Sequence, residues 1–224
     1  MEKGVLDFFK KYCSEEWLPL IEHHQENRHI QKNEIFIHEG DPVTGIYFLN
    51  KGKVKIVSGL QSKNERILRL ANEQMLLGHR GLFLKNYTIS AVALTPCEVS
   101  FIPMNLLFRL FRANPEFSLF MLEFFSQELR ESEEQQFVLT IDNVRRRIAY
   151  CLVKILRIYG YEKKSGKLLS FTLSRKDIAT LGNTTYESVI RTLSAFEKEK
   201  LIECDGKNIV ILNEAKLRAI AHGK

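Results

Sequence analysis

Glu187 and Arg191 stand four residues apart within the stretch LSRKDIATLGNTTYESVIRTLSAFEKEKLI. An arginine can donate two hydrogen bonds to guanine, and a carboxylate can accept one from cytosine N4. Such a pair on one helix face is chemically fit to read base edges in a major groove. Two plainer roles suit the same residues. Glu187 can complete a T-x-x-E capping box with Thr184, and Glu187 with Arg191 can form an i,i+4 ion pair.

To read anything, the pair must sit on a helix whose neighbours fix its direction. Ser174 with Asp177 is an S-x-x-D start signal for a first helix, and Thr184 with Glu187 starts a second. Leu173, Ile178, Leu181, Val189, Ile190, Leu193 and Phe196 supply apolar contacts at spacings suited to two crossed helices. Leu181-Gly182-Asn183 forms the turn between them, where Asn183 tolerates the left-handed conformation. In LIECDGKNIVIL, Asp205-Gly206 predicts a hairpin. The amphipathic helix VRRRIAYCLVKILRIYGY, ending near Gly160, and a short strand LLSFTL precede the two helices. Together these elements spell a winged helix-turn-helix.

The charge distribution agrees with a polyanion-binding module at this end. Residues 143–224 carry 17 Lys/Arg against 8 Asp/Glu, a net of +9, whereas residues 1–142 carry 16 against 19, a net of −3. The chain of 224 residues is 45% apolar and 27% charged, values of an ordered globular protein. It has no run approaching the ~18–20 apolar residues of a membrane span, and MEKGVLDFFKKYC lacks the apolar core of a signal peptide. A cytoplasmic location and no membrane partner are expected. Cys13, Cys97, Cys151 and Cys204 are widely spaced with no C-x-x-C pair, which predicts isolated reduced thiols, Cys97 or Cys151 being the positions for a redox switch.

All 5 prolines fall within the first 115 residues. Up to about residue 103 the chain is strand-like: IFIHEGDP, GIYFLNKGKVKIVSG, RILRL and ISAVAL are short β-branched and aromatic runs bounded by turn residues. Asn114-Pro115 predicts an N-cap followed by proline at the first helical position, opening a helix to about Asp142. Leu122, Phe125, Leu129, Ser132, Gln136 and Leu139 alternate by three and four as a heptad seam for pairing with a second copy. The polar Ser132 and Gln136 weaken that pairing and fix its register. The expected fold class is α+β. A β-roll of double-stranded β-helix or jelly-roll type covers residues 1–114, a long dimerisation helix 115–142, and the winged helix-turn-helix 143–224.

The stretch Ser174-Arg175-Lys176-Asp177-Ile178-Ala179, followed by Thr185-Tyr186-Glu187-Ser188-Val189-Ile190-Arg191-Thr192-Leu193, resembles the helix-turn-helix of the Crp-Fnr superfamily of bacterial regulators. The resemblance extends along the chain in the order β-roll, long helix, winged helix. It implies a homodimeric transcription regulator on a pseudo-palindromic double-stranded operator, with half-sites about one DNA turn apart. RNA polymerase is a further implied partner. By the resemblance, Glu187 and Arg191 read bases. Ser174, Arg175, Thr184, Thr185 and Ser188 approach phosphate or groove, and Lys207 on the wing approaches phosphate. Tyr186 stands where many relatives have arginine, and it cannot copy a bidentate arginine contact.

Residues 30–110 resemble the family's cyclic-nucleotide-binding β-roll, through Ile35-Phe36-Ile37, Glu39-Gly40-Asp41, Ile46-Tyr47-Phe48, Lys51-Gly52-Lys53-Val54 and Gly78-His79-Arg80-Gly81-Leu82-Phe83. Cyclic-AMP-binding members hold the ribose with a Glu in Gly-Glu-Leu-Gly-Leu and the phosphate with the Arg of Arg-Ser-Ala. This chain has His79 and Ile89 at those positions, so cyclic AMP is not the expected effector. Gly78, His79, Arg80, Gly81, Leu82 and Ser90, with Ser132 from the long helix, are the expected effector residues, for a small-molecule or redox signal. An iron–sulfur cluster is not expected, since only Cys13 lies near the N-terminus. Haem would need His79, His38, His23 or His24 as axial ligand, and no metal site is expected. The alternatives are a regulator controlled by abundance alone and a cupin-type metalloenzyme. The latter lacks the clustered His and carboxylate ligands it needs, so no catalytic residue and no enzyme activity are expected.

Overall fold

GIYFLNK is apolar almost without a break because both faces of its strand are covered. Side chains alternate along a strand. Tyr47 and Leu49 therefore face one core while Ile46 and Phe48 face another. The computed structural model describes residues 4–60, 62 and 65–223. It divides into two compact units, residues 1–131 and 132–224. The division falls inside the long helix; the outermost positions, 1–3 and 224, lie outside the described residues.

In the first unit, α1 (Val5–Phe9) and α2 (Leu18–His24) precede β1 (Glu26–Ile30), β2 (Ile35–Ile37), β3 (Gly45–Lys51), β4 (Val54–Ser58), β5 (Arg66–Ala71), β6 (Met75–Leu77), β7 (Ser90–Ala93) and β8 (Cys97–Pro103). The strands form two antiparallel four-stranded sheets, ordered β1-β8-β3-β6 and β2-β7-β4-β5. Ile37, Leu49, Ile56, Leu77, Ile89 and Phe101 belong to the core inside this roll. Ile46, Phe48 and Ile102, on the outer face of the first sheet, share a second core with Phe9, Ile21, Leu110 and Phe117 of the helices. The four strand-like runs of the sequence cover β2, β3 with β4, β5 and β7, whereas β1, β6, β8, the short helices α1 and α2, and α3 (Met104–Ala113) lie outside them.

α4 spans Pro115–Leu139, three residues short of the expected end. The helix starts at Pro115 as expected, and the Asn114 carbonyl accepts from the N–H groups of Phe117 and Ser118. Asn114 Oδ1 accepts from the N–H of Ser14, 3.0 Å away, and so ties the N-terminal segment to the helix junction. The helix carries two apolar stripes. Phe117, Met121, Phe124 and Phe125 pack inward, whereas Leu119, Leu122 and Leu129 are exposed, Leu122 at 65% and Leu129 at 61%. Phe125 thus leaves the predicted seam. The outward row runs through Leu119, Leu122, Ser126 and Leu129, at spacings of three and four.

In the second unit, α5 (Val144–Tyr159) stops at Gly160, whose φ of 72° is a backbone state that favours glycine. Instead of a regular strand, LLSFTL contributes two isolated bridges, Tyr161 to Leu169 and Leu168 to Val210. α6 (Arg175–Leu181), α7 (Tyr186–Lys198), the hairpin β9 (Ile202–Asp205) and β10 (Asn208–Ile211), and α8 (Glu214–His222) complete the unit. α8 closes over α5 and buries Leu217 and Ala221.

Candidate nucleic-acid interface and sensor turn

Helix α6 begins as its sequence dictates. Ser174 Oγ accepts from the Asp177 N–H at 3.0 Å and donates to Asp177 Oδ2 at 2.7 Å. The turn follows with Asn183 at φ 47°, as expected of a residue that tolerates the left-handed state. The start of α7 differs by one residue from the predicted box. Thr185, not Thr184, is the N-cap, accepting from the Ser188 N–H at 3.2 Å. Thr184 belongs to the turn, where its N–H donates to the Ala179 carbonyl at 3.0 Å. Glu187, at the second helical position, is consequently not the capping-box partner.

Val189, Leu193 and Phe196 seat α7 on the core, which leaves Tyr186, Glu187, Ile190 and Arg191 facing out, Tyr186 at 52% exposure. Among the described residues no ion pair joins Glu187 to Arg191; Arg191 Nη2 lies 3.4 Å from Ser188 Oγ, and the carboxylate stays in solvent. The outward face is therefore a row of donors, an acceptor and an aromatic ring with no intramolecular task beyond one long hydrogen bond.

Basic residues behind this face hold it still. Arg147 donates from Nε to the Gly182 carbonyl at 2.9 Å and from its terminal nitrogens to the carbonyls of Ile141 and Asn183, clamping the helix-turn-helix corner. Arg145 makes a two-armed bridge to Glu199 just beyond the end of α7, at 2.7 and 2.6 Å, and lies over the Phe196 ring. That pairing holds the Glu199 carboxyl below the usual carboxylate range. Arg146 caps α8 through the carbonyls of Ala221 and His222. Arg175, expected at a phosphate, donates to the carbonyls of Gly206 and Lys207 at 3.1 and 3.2 Å and so braces the wing. Gly206 occupies the turn at φ 56°, and Lys207 is exposed at its tip. Part of the basic excess is therefore structural.

In the first unit, β6 runs into Gly78, left-handed at φ 78°, and a single 3-10 turn, His79–Gly81. A side chain on Gly81 would meet Val43 Cγ2 at 2.8 Å, so this position admits only glycine without rearrangement. The amides of the turn are engaged within it: Gly81 N–H donates to the Gly78 carbonyl and Leu82 N–H to that of His79. Ser90 Oγ accepts from the Glu39 N–H at 3.0 Å, and Ile89 lies in the roll's apolar core. These residues do not fit a cyclic phosphate, because the position of the phosphate-binding arginine holds the core residue Ile89, the turn's amides of Gly81 and Leu82 are already partnered, and the nearby guanidiniums of Arg69 and Arg80 are directed at Glu128.

What the turn does present is a charged cluster that the sequence did not announce. His79, 3% exposed, lies between the rings of Phe124 and Phe125, with its Nε2 3.5 Å from Glu128 Oε2. Arg69 of β5 reaches Glu128 Oε1 from Nε at 2.9 Å, and Arg80 Nη2 lies 3.6 Å from Oε2. Arg69 also donates to the Leu76 carbonyl at 2.9 Å and lies over the Phe124 ring. Burial pushes the His79 pKa below its ordinary value, more than the nearby carboxylate raises it. Burial pushes the Glu128 carboxyl up, but the His79 contact and the two guanidiniums outweigh it and hold it below the usual range. Ser132, expected to face this turn, lies one helical turn further along α4; Glu128 is the helix residue that meets it.

Cys97 and Cys151 are buried and their thiols are pushed up, that of Cys151 to about 12, which suppresses the reactive thiolate. His23 and His24 stand exposed at the end of α2, and His38 is exposed beside Asp41. No group of three or more His, Cys, Asp or Glu is placed to hold a metal ion among the described residues, and no helix among them is long and apolar enough to cross a membrane.

Comparison with known proteins places both units. The cyclic nucleotide-binding domain family matches residues 27–114, and the Crp-like helix-turn-helix domain family matches residues 146–220. Electron transport regulator A of Shewanella oneidensis is 26% identical over 197 residues, covering 88% of this chain and 79% of that protein. The transcriptional activator protein anr of Pseudomonas aeruginosa is 26% identical over 200 residues, covering 89% and 82%. Among solved structures, FixK2 of Bradyrhizobium japonicum superposes with a TM-score of 0.78 at 19% identity, over 88% of this chain and 96% of that one, and so shares the fold. With its roll, long helix and winged helix-turn-helix in the same order, the chain belongs to the Crp-Fnr superfamily of DNA-binding transcription regulators.

Proposed function

We propose that this regulator works as a homodimer that sets α7 of each copy into the major groove of a pseudo-palindromic operator, reading base edges with Glu187 and Arg191. The observation that carries the reading is the outward face of α7. It is capped by Thr185, fixed from behind by Arg145 and Arg147, and left with the Glu187 carboxylate in solvent and Arg191 in one long hydrogen bond to Ser188. Tyr186 sets the preference that distinguishes this chain's operator, by contact with a thymine methyl or a phosphate. Ser174, Thr184, Thr185, Ser188 and Lys207 line the approach to the backbone, and Arg175 acts by holding the wing in place.

The exposed row Leu119, Leu122, Ser126 and Leu129 supports pairing of two α4 helices. Its spacing fits a two-stranded coiled coil, and an unpaired stripe of this kind would be costly in water. The relatives' names, with transcription regulation and activation among them, favour action on RNA polymerase in the cytoplasm. The effector is a signal other than cyclic AMP that acts on the sensor turn and reaches DNA through α4. Selection of preferred duplexes from a random pool by the purified protein tests the reading. Two half-sites about one helical turn apart are expected; enrichment of a single unpaired site, or none, would contradict it.

A further inference from the structure

We infer that the turn at residues 78–82 and β5 together build a carboxylate-binding site whose resting occupant is the protein's own Glu128. Three nitrogen-bearing side chains from two segments of the roll converge on that one carboxylate. Arg69 Nε lies at 2.9 Å, His79 Nε2 at 3.5 Å and Arg80 Nη2 at 3.6 Å. Three such groups around one carboxylate offer more charge-assisted donors than a single ion pair uses, which suits the site to a bound anion. The site is enclosed on the side of Arg69 and His79 and opens at Arg80, whose side chain is 31% exposed. The Arg69 and Glu128 side chains are 10% and 11% exposed, and Phe124 and Phe125 flank the histidine.

His79 is the second mark of a ligand site. Its ring is almost fully buried, yet neither nitrogen has a hydrogen-bond partner of good geometry, and Nε2 points at the carboxylate from just outside normal range. A carboxylate free to settle between the three groups would satisfy it; one tethered to a helix does not quite reach. Removing Glu128 leaves the buried Arg69 guanidinium and the half-buried Arg80 without their shared carboxylate, with Glu131 as the remaining acidic group acting on Arg69. That arrangement demands an anion.

The cluster fastens the roll to α4 within the first unit, so occupancy of the site sets how firmly the helix is held. Its effect on DNA rests on the dimer reading above. An effector acting at this turn must therefore be an anion, of carboxylate type, that competes with a tethered group. Tethering gives Glu128 a high effective concentration, so free carboxylates at millimolar levels leave the natural protein unchanged.

Chemical rescue tests this. In the full chain carrying Glu128→Ala, sodium acetate should raise the thermal midpoint saturably, whereas sodium chloride or acetamide at matched ionic strength and pH should not, and the natural protein should not respond to acetate. DNA affinity should fall on the order of tenfold in the variant and recover with acetate. Glu128→Gln keeps the volume without the charge; it should lose stability and ignore acetate. Equal responses of the natural protein and Glu128→Ala to acetate would overturn the assignment. So would natural stability in Glu128→Gln, which decides the matter even where Glu128→Ala does not fold. The thermal readout needs neither DNA nor a second copy, so its failure leaves the reading of α7 standing, and failure of α7 to select DNA leaves the carboxylate site standing.

Discussion

In the second unit arginines brace the backbone from behind so that other polar groups can face solvent. Arg147 holds the turn, Arg145 the far end of α7 and Arg175 the wing, while Glu187 and Arg191 stay exposed. In the first unit the direction is reversed: Arg69 and Arg80 turn inward to a carboxylate on the same unit's helix, and the turn's own amides are closed on themselves. A surface that reads DNA needs polar groups whose hydrogen bonds are not yet made. A sensor can instead hold its polar groups partnered, and change state when one partner is exchanged. Substitutions on the α7 face should accordingly change binding without changing stability, and substitutions in the Glu128 cluster should change both.

The largest effect tests the element the two units share. Leu122→Glu combined with Leu129→Glu places charges on the exposed row of α4 without touching its inward stripe. Sedimentation should show a monomer, with affinity for a two-half-site duplex reduced on the order of a hundredfold or more as the linked second contact is lost. A stable dimer would move the pairing surface elsewhere. Next in size is Arg147→Met, which keeps the aliphatic stem and removes charged hydrogen bonds to the carbonyls of Ile141, Gly182 and Asn183. It should cost about 1.5–3 kcal/mol in urea unfolding of the second unit, with DNA binding weakened alongside. Normal stability with weakened binding would make Arg147 a DNA contact rather than a clamp.

The smallest effect belongs to acid titration of the His79–Glu128 cluster. The folded pKa of His79 lies below its ordinary 6.5. As pH falls through that value the unfolded chain takes up a proton first, and stability declines from there down to the depressed folded value. Glu128 works in the same sense at lower pH, since its contribution is present above the ordinary carboxylate range and lost as pH falls through its depressed folded value. Thermal midpoints between pH 7 and pH 5 should therefore fall with a limiting contribution of about 1.4 kcal/mol per pH unit from one proton. His79→Gln should flatten that slope, and an unchanged slope would assign it to other groups.

The sequence carried the second unit further than the first because its signals are local. Ser174, Asn183, Gly160 and Gly206 each mark a cap or turn within a few residues of the feature they create. The start of α7 was misplaced by one position since Thr184 and Thr185 are equally able to cap, and the choice depends on which N–H the turn itself uses. In α4, two apolar stripes share spacings of three and four, so Phe125 was assigned to the outward row although the roll claims it. Arg69 and Glu128 were invisible for a different reason. An arginine in RILRL and a glutamate in an acidic run read as solvent-facing, and only their meeting across 59 positions of chain reverses that.

The claim that α7 reads DNA is tested most directly by comparing the natural protein with Arg191→Ala on a panel of duplexes varied one base pair at a time, with the thermal midpoint of each protein as control. The account predicts an unchanged midpoint, a loss of about 1–3 kcal/mol on the preferred duplex, and relaxed preference at one symmetric position in each half-site. Equal affinity, or a uniform loss that leaves every base preference intact, would contradict it.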